Sequence, residues 1–122
     1  MADYVVAGSG PLLAHGLRDV VDDLDIVARG AARKTVLELG DPQVPPSGHG
    51  SMVTLFAGDL EIFDRWLPDS PGPDRMIEAA ECAQGIPFSP LSGVLTWKER
   101  LGGQKDQDDI ELIRDYPGQA GG

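Results

Sequence analysis

Cysteine is nearly missing from this chain: Cys82 is the single one in 122 residues. No intramolecular disulfide can form, so a disulfide-stapled scaffold is excluded. Long apolar runs and a signal-peptide pattern are also missing. That speaks against a membrane-spanning helix and leaves a reducing, cytoplasmic setting as the expectation. Basic residues are scarce, with ten Lys and Arg against twenty Asp and Glu and a formal net charge of -10. Non-specific nucleic-acid binding draws on Lys and Arg contacts to phosphates, so an extended footprint of that kind is disfavoured, although one local basic patch is compatible with the total. There is no internal repeat, heptad or low-complexity tract. What is present is an ordinary globular balance, 41% hydrophobic and 25% charged, in a length that holds one core. The expected organisation is a single domain over residues 1–116 and a flexible tail over 117–122. Sixteen glycines and ten prolines fall between the periodic segments rather than inside them.

The stretch Val5 to Ala28 carries the chemistry. Tyr4 to Ala7 is short, apolar and bounded by Gly8-Ser9-Gly10, as for a buried strand followed by a tight turn. Pro11 then opens a short helix to Gly16, since proline suits a first helical turn. Backbone N–H groups beside glycines that let a ligand approach form a phosphate seat. The second strand opens with Asp23-Leu24-Asp25 and continues to Ala28. Strand side chains alternate, so Asp23 and Asp25 share a face. Two carboxylates side by side repel each other unless a cation lies between them, and oxygen ligands of this kind suit Mg²⁺ bridging to substrate phosphates. Arg18, in the loop before that strand, faces either a triphosphate or a surface salt bridge.

The remaining chain reads as alternating elements. Ala31 to Leu39 fits a helix ended by Gly40. Gly40 to Ser51 is a proline- and glycine-rich loop, and its part from Ser47 to Ser51 fits an ordinary connection better than a flap over a ligand. Met52 to Phe56 and Leu60 to Trp66 read as an antiparallel hairpin around Ala57-Gly58-Asp59. Glu61 sits between two apolar residues in that second arm: it is either a solvent-facing residue of an edge strand or a buried carboxylate, which unpaired is costly enough to need a reason. Asp74 to Cys82 reads as a helix with Met76, Ile77 and Ala80 on one face. Gly85 to Ser89 is extended and allows a short fifth strand. Pro90 to Gly102 and Asp106 to Asp115 read as helices, the first with Leu91, Val94, Leu95 and Leu101 inward. His15 has no partner at metal-ligand spacing, and Cys82 has no activating neighbour, so both read as ordinary packed or surface residues.

Gly8-Ser9-Gly10 also supplies two-thirds of a dinucleotide fingerprint between a strand and a helix. Leu13 stands where the third small residue permits close helix–strand packing, and the acids open the second strand rather than close it. Repeated strand–helix units are missing as well. A dinucleotide-binding domain is therefore disfavoured.

Val6-Ala7-Gly8-Ser9, the helix Leu12 to Arg18 and Asp23-Leu24-Asp25 at the head of a strand resemble the nucleotidyltransferase superfamily with the DNA polymerase β fold. Its signature is a Gly-Ser turn, a helix, an Asp-x-Asp pair and a third acid on a later strand. Leu60-Glu61-Ile62 matches that third position, with Asp59 and Asp64 as the alternatives. The stretch Leu95 to Ile113, with Trp97-Lys98, Gly102, Lys105-Asp106 and Asp109-Ile110, is similar to the tails of small stand-alone members in bacterial toxin–antitoxin and abortive-infection systems. Gly103 departs from that tail, which usually has arginine there, and Asp22 makes the acidic pair denser than usual.

The resemblance implies an α+β, polymerase β-like fold: a mixed sheet of four to five strands, helices on one face and a helical C-terminal tail. It implies an Mg²⁺-dependent (or Mn²⁺-dependent) transfer of a nucleoside monophosphate from an NTP. Asp23, Asp25 and Glu61 would be the catalytic metal ligands. Gly8, Ser9 and Gly10 would hold phosphates, with Arg18, Lys98 and Lys105 as nucleotide contacts. On residue grounds alone Lys98 and Lys105 read as solvent lysines, and Asp106 and Asp109 read as capping and pairing within the tail. The acceptor stays open between an RNA end, a protein hydroxyl and a small molecule, and a protein partner or a homodimer is compatible with the chain. The competing function is a catalytically inactive nucleotidyltransferase-like module that senses a nucleotide or binds a basic partner.

Overall fold

The computed structural model describes residues 2–20, 23–45, 48, 50–66, 71–102 and 104–116, without the side chains of 101, 104 and 105. Asp22, Ser47, His49, Gly103, the side chains of Leu101 and Lys105, and the tail over 117–122 lie outside the described residues. No described helix is long and apolar enough to cross a membrane.

The chain runs β1 (Tyr4–Ala7), α1 (Gly10–Ala14), β2 (Leu24–Ala28), α2 (Gly30–Leu39), β3 (Met52–Leu55), a 3₁₀ turn (Phe56–Gly58), β4 (Leu60–Phe63), α3 (Pro73–Glu78), β5 (Glu81–Ala83), β6 (Ile86–Phe88), α4 (Leu91–Leu101) and α5 (Gln104–Asp115). The strands form one mixed sheet in the order β3-β4-β2-β1-β6-β5. The fold is α+β, and β3 and β4 pair antiparallel as their patterning predicts. β1 is antiparallel to β2, and β4 is parallel to β2.

Three features of the expected architecture need correction. The sheet has six strands rather than four to five, because Glu81–Ala83 forms the outer arm of a hairpin with Ile86–Phe88. The helix expected over Asp74 to Cys82 stops at Glu78. Gln84 (φ 52) and Gly85 (φ 80) are both left-handed, which is the backbone of a tight two-residue hairpin turn. The helices also lie on both faces of the sheet rather than one. Val5, Val27, Phe63 and Met52 lie in register on one face and pack with Met76 and Ile77 of α3. Val6, Ile26, Ile62 and Val53 form the opposite row. A Cβ on Gly10 would collide with Val6, and one on Gly40 would come 2.8 Å from Val53, so α1 and the end of α2 lie against this second face. The central strands are nearly continuous apolar runs, and a sheet apolar on both sides has to be covered on both.

A second cluster of Leu12, Leu91, Val94 and Ile113 joins α1, α4 and α5. Leu12 and Ile113 are fully buried, and each such side chain contributes about 1.5–3 kcal/mol by leaving water. Gly102, left-handed at φ 66, closes α4 and turns the chain into α5. This packing holds the C-terminal helices against the turn that follows β1. His15 is part of the same corner, edge-on to Tyr116 with ring centroids 5.3 Å apart.

Candidate functional site

The site lies at one rim of the sheet. Asp25 pairs with Ala7 of β1 on one side and with Glu61 of β4 on the other. Parallel, in-register pairing of β2 with β4 puts the two acids next to each other on the face that carries Val27 and Phe63. Asp23, two residues before Asp25, joins them: one carboxylate oxygen from each of Asp23, Asp25 and Glu61 lies within 4.8 Å of the others. All three are half-buried. Asp64 takes no part, because its carboxylate accepts the Ser51 N–H at 2.7 Å and faces Arg33. Asp59 lies outside the cluster, its carbonyl accepting the Leu24 N–H at 2.9 Å.

The three acids strain one another electrostatically. Burial, the charges of Asp23 and Glu61 and a hydrogen bond with Glu61 push the Asp25 carboxyl from 3.8 to about 7, against the opposing pull of Lys98. Burial, and then the hydrogen bond and charge of Asp23, also raise Glu61 above its ordinary range. Oxygen-only donors that share protons because they cannot all ionise together suit a hard divalent cation, which would relieve the repulsion. The donor set therefore fits Mg²⁺ or Mn²⁺.

Gly8 lets the turn pass against this cluster. It is left-handed at φ 61, and a Cβ there would run into the Asp25 carboxylate. α1 is only five residues long, so any phosphate seat at Gly8-Ser9-Gly10 rests on the local N–H groups and the Ser9 hydroxyl rather than on a helix dipole.

Asp109 organises the basic side of the site. Its carboxylate is fully buried, accepts the Arg18 Nε–H at 2.5 Å and lies 2.9 Å from the Lys98 ammonium. The Ser9 hydroxyl donates to it at 3.3 Å, and Lys98 donates to Ser9 at 3.1 Å. Asp106 is a further neighbour of Lys98 at 3.5 Å. Burial raises the Asp109 carboxyl, but hydrogen bonds from Lys98 and Arg18, with their charges, outweigh it and hold the group below the usual aspartate range.

Lys98 is buried rather than solvated. Asp109 pairs within the tail as expected, with Lys98, but it lies mid-helix rather than at a cap and is the centre of a network that reaches back to Ser9 and Arg18. Arg18 makes its ion pair with a buried acid and not at the surface. A signal for Asp109 was available: Asp106, Asp109, Ile110 and Ile113 recur at i, i+3, i+4 and i+7, which puts Asp109 on the inward stripe of its helix.

A cleft of about 780 Å³ opens beside these groups. Gly8, Ser9, Asp23, Asp25 and Lys98 line one part of it, and Trp66, Met76 and Trp97 form an apolar wall. Glu61 does not line it. Of the chain's two tryptophans, Trp97 stood in the tail pattern with Lys98, whereas Trp66 carried no signal in the sequence that distinguished it from core residues. The cleft thus joins a polar part, which holds Ser9, two carboxylates and Lys98, to an apolar wall. Comparisons with known protein families, with curated proteins and with solved structures give no match for this chain.

Proposed function

We propose that this chain is a nucleotidyltransferase of the polymerase β-like type, similar to the small stand-alone toxin-like members, and that it moves a nucleoside monophosphate from an NTP to an acceptor hydroxyl. The observation that carries the reading is the convergence of Asp23, Asp25 and Glu61 from two adjacent parallel strands, within 4.8 Å of one another, beside the Gly8-Ser9 turn. Acids brought together from separate strands repel one another when all are ionised, and a divalent cation between them relieves that repulsion.

Asp23, Asp25 and Glu61 would hold Mg²⁺, which when bound neutralises charge on the attacking and leaving oxygens. Gly8 and Ser9 receive the triphosphate, with Lys98 held at the Ser9 hydroxyl by Asp109, while Gly10 is buried against Val6 and does not line the cleft. Arg18 steadies the same corner through Asp109. The apolar wall of Trp66, Met76 and Trp97 accepts the base and excludes water from the reacting phosphate. The acceptor oxygen forms a bond to the α-phosphorus, the bond from that phosphorus to the bridging oxygen of the β-phosphate breaks, and pyrophosphate leaves with the electron pair. The hydroxyl proton passes to a carboxylate of the triad acting as base.

One observation favours a second reading, an inactive nucleotide-sensing or protein-interaction module. Ser9, Arg18 and Lys98 are all engaged by Asp109, which leaves less positive charge free for a triphosphate than an unpaired set would.

Calorimetric titration with each NTP, with and without Mg²⁺, decides between them. Mg²⁺-dependent binding that disappears in Asp25→Ala, with the fold retained, supports the transferase. Absence of binding to every NTP sinks it and leaves the interaction module.

A further inference from the structure

A second groove, of about 630 Å³, meets the first at Asp23. Leu24 and Leu60 line it and alternate with Asp25 and Glu61 along β2 and β4, so this groove lies toward the other face of the sheet. Asp23 lines both cavities. Asp23, alone of the three acids, thus stands between a cleft that reaches Gly8, Ser9 and Lys98 and a groove that does not, while Asp25 lines only the cleft. Displacement at phosphorus requires the incoming oxygen to arrive opposite the leaving group. With the triphosphate directed at Gly8, Ser9 and Lys98, the incoming oxygen enters from the side of the second groove.

The chemistry of that groove is distinctive. Asp19, Asp23 and Asp59 line it with Leu13, Val20 and Phe56, and no lysine or arginine is among the described residues around it. Val20 is 75% exposed and Phe56 73%. With Leu13 they give the groove an apolar border rimmed by carboxylates, a surface suited to a protein contact. The acids repel a phosphate backbone and attract ammonium or guanidinium groups.

The geometry points to an acceptor-binding groove formed by Leu13, Val20 and Phe56 with Asp19, Asp23 and Asp59, whose occupant is a basic, partly apolar polypeptide segment that presents a Ser, Thr or Tyr hydroxyl to the triad. This rests on the nucleotidyl-transfer reading for the reaction, though not for the docking. The side-chain oxygen of the segment takes the nucleotidyl group, pyrophosphate leaves, and the proton goes to the triad.

The test is fluorescence anisotropy with a short fluorescein-labelled peptide of alternating Lys, Leu and Tyr, the same peptide with Glu for Lys, and a labelled single-stranded RNA. The lysine peptide should bind saturably and more weakly at high salt, with the glutamate peptide and the RNA failing to bind. Phe56→Gly and Asp59→Lys should each weaken the lysine peptide about tenfold, the scale of losing one anchor. Phe56→Gly places glycine at a left-handed, exposed position, so the fold survives it. Binding of the RNA instead, no binding of the lysine peptide, or binding indifferent to both substitutions overturns the inference. NTP calorimetry on the same sample reads the other cavity. NTP bound without peptide removes the acceptor groove alone, and peptide bound without any NTP removes the transfer reading alone.

Discussion

The Lys98 ammonium lies 2.9 Å from a carboxylate oxygen of Asp109, and that carboxylate is fully buried. The pair joins α4 to α5 and, through Arg18 and Ser9, joins both to the turn after β1. Removing Asp109 leaves the buried Lys98 ammonium with Asp106, at 3.5 Å, as its remaining acidic neighbour and takes this partner from the partly exposed Arg18. Asp109→Ala is expected to destabilise the fold by about 3–5 kcal/mol. Urea unfolding of the variant checks this, and a loss under about 1 kcal/mol, the scale of an exposed pair, would show that Asp109 is not the organising group.

The acidic triad gives stability an unusual pH dependence. Asp25 has an ordinary value of 3.8 and a folded value of about 7. Between those values the folded chain keeps a proton that the unfolded chain has lost, so stability falls as pH rises through that window. Asp109 works in the other direction: its lowered value contributes stability above the ordinary 3.8, and that contribution is lost as pH falls further. Thermal unfolding should therefore show higher stability near pH 5 than near pH 8, with the difference reduced in Asp25→Asn. Equal melting temperatures at the two pH values in the parent would contradict the buried repulsion.

Mg²⁺ follows the same logic. A cation binds the ionised triad and not its protonated form, so added Mg²⁺ should raise the melting temperature at pH 8 and have little effect at pH 5. The stabilisation should vanish in Asp25→Ala. Equal stabilisation by Mg²⁺ at both pH values would place the ion elsewhere.

Gly8→Ala tests the contact between the turn and the triad. The added methyl meets the Asp25 carboxylate, and the left-handed backbone at φ 61 disfavours alanine by about 1–2 kcal/mol. A loss of about 2–4 kcal/mol in urea unfolding and loss of the Mg²⁺ response are expected from backbone and overpacking together. Retained Mg²⁺ stabilisation would mean that the turn is free to move away from Asp25.

Phe56 is left-handed at φ 55 and 73% exposed, so its ring gives the fold little in return for the strained backbone. Relief of about 1–2 kcal/mol of strain in Phe56→Gly competes with about 0.4–1 kcal/mol of added unfolded-chain entropy. The net expectation is unchanged or slightly raised stability by thermal unfolding. A clear drop would show that the ring packs in solution.

Local rules made much of the site visible in the chain. Alternation along a strand put Asp23 and Asp25 on one face, and apolar neighbours marked Glu61 as an acid that needed a reason. Prolines and glycines bounded α1, α2 and α4 at nearly their observed ends, because these residues act on the backbone within a turn or two. The hairpin of β5 and β6 was hidden for a matching reason: Met76, Ile77 and Ala80 continue a helical stripe, and Gln84-Gly85 is a weaker turn signal than Asn-Gly. That Glu61, rather than Asp59 or Asp64, completes the cluster was decided by the register of β2 with β4, which pairs residues 36 positions apart (Asp25↔Glu61). The role of Asp109 was likewise decided by packing. A sequence can show that an acid lies on the inward face of a helix, but only the docking of α5 against α1 and α4 brings Arg18, Lys98 and Ser9 to it, and no local propensity encodes contacts between residues 91 and 100 positions apart.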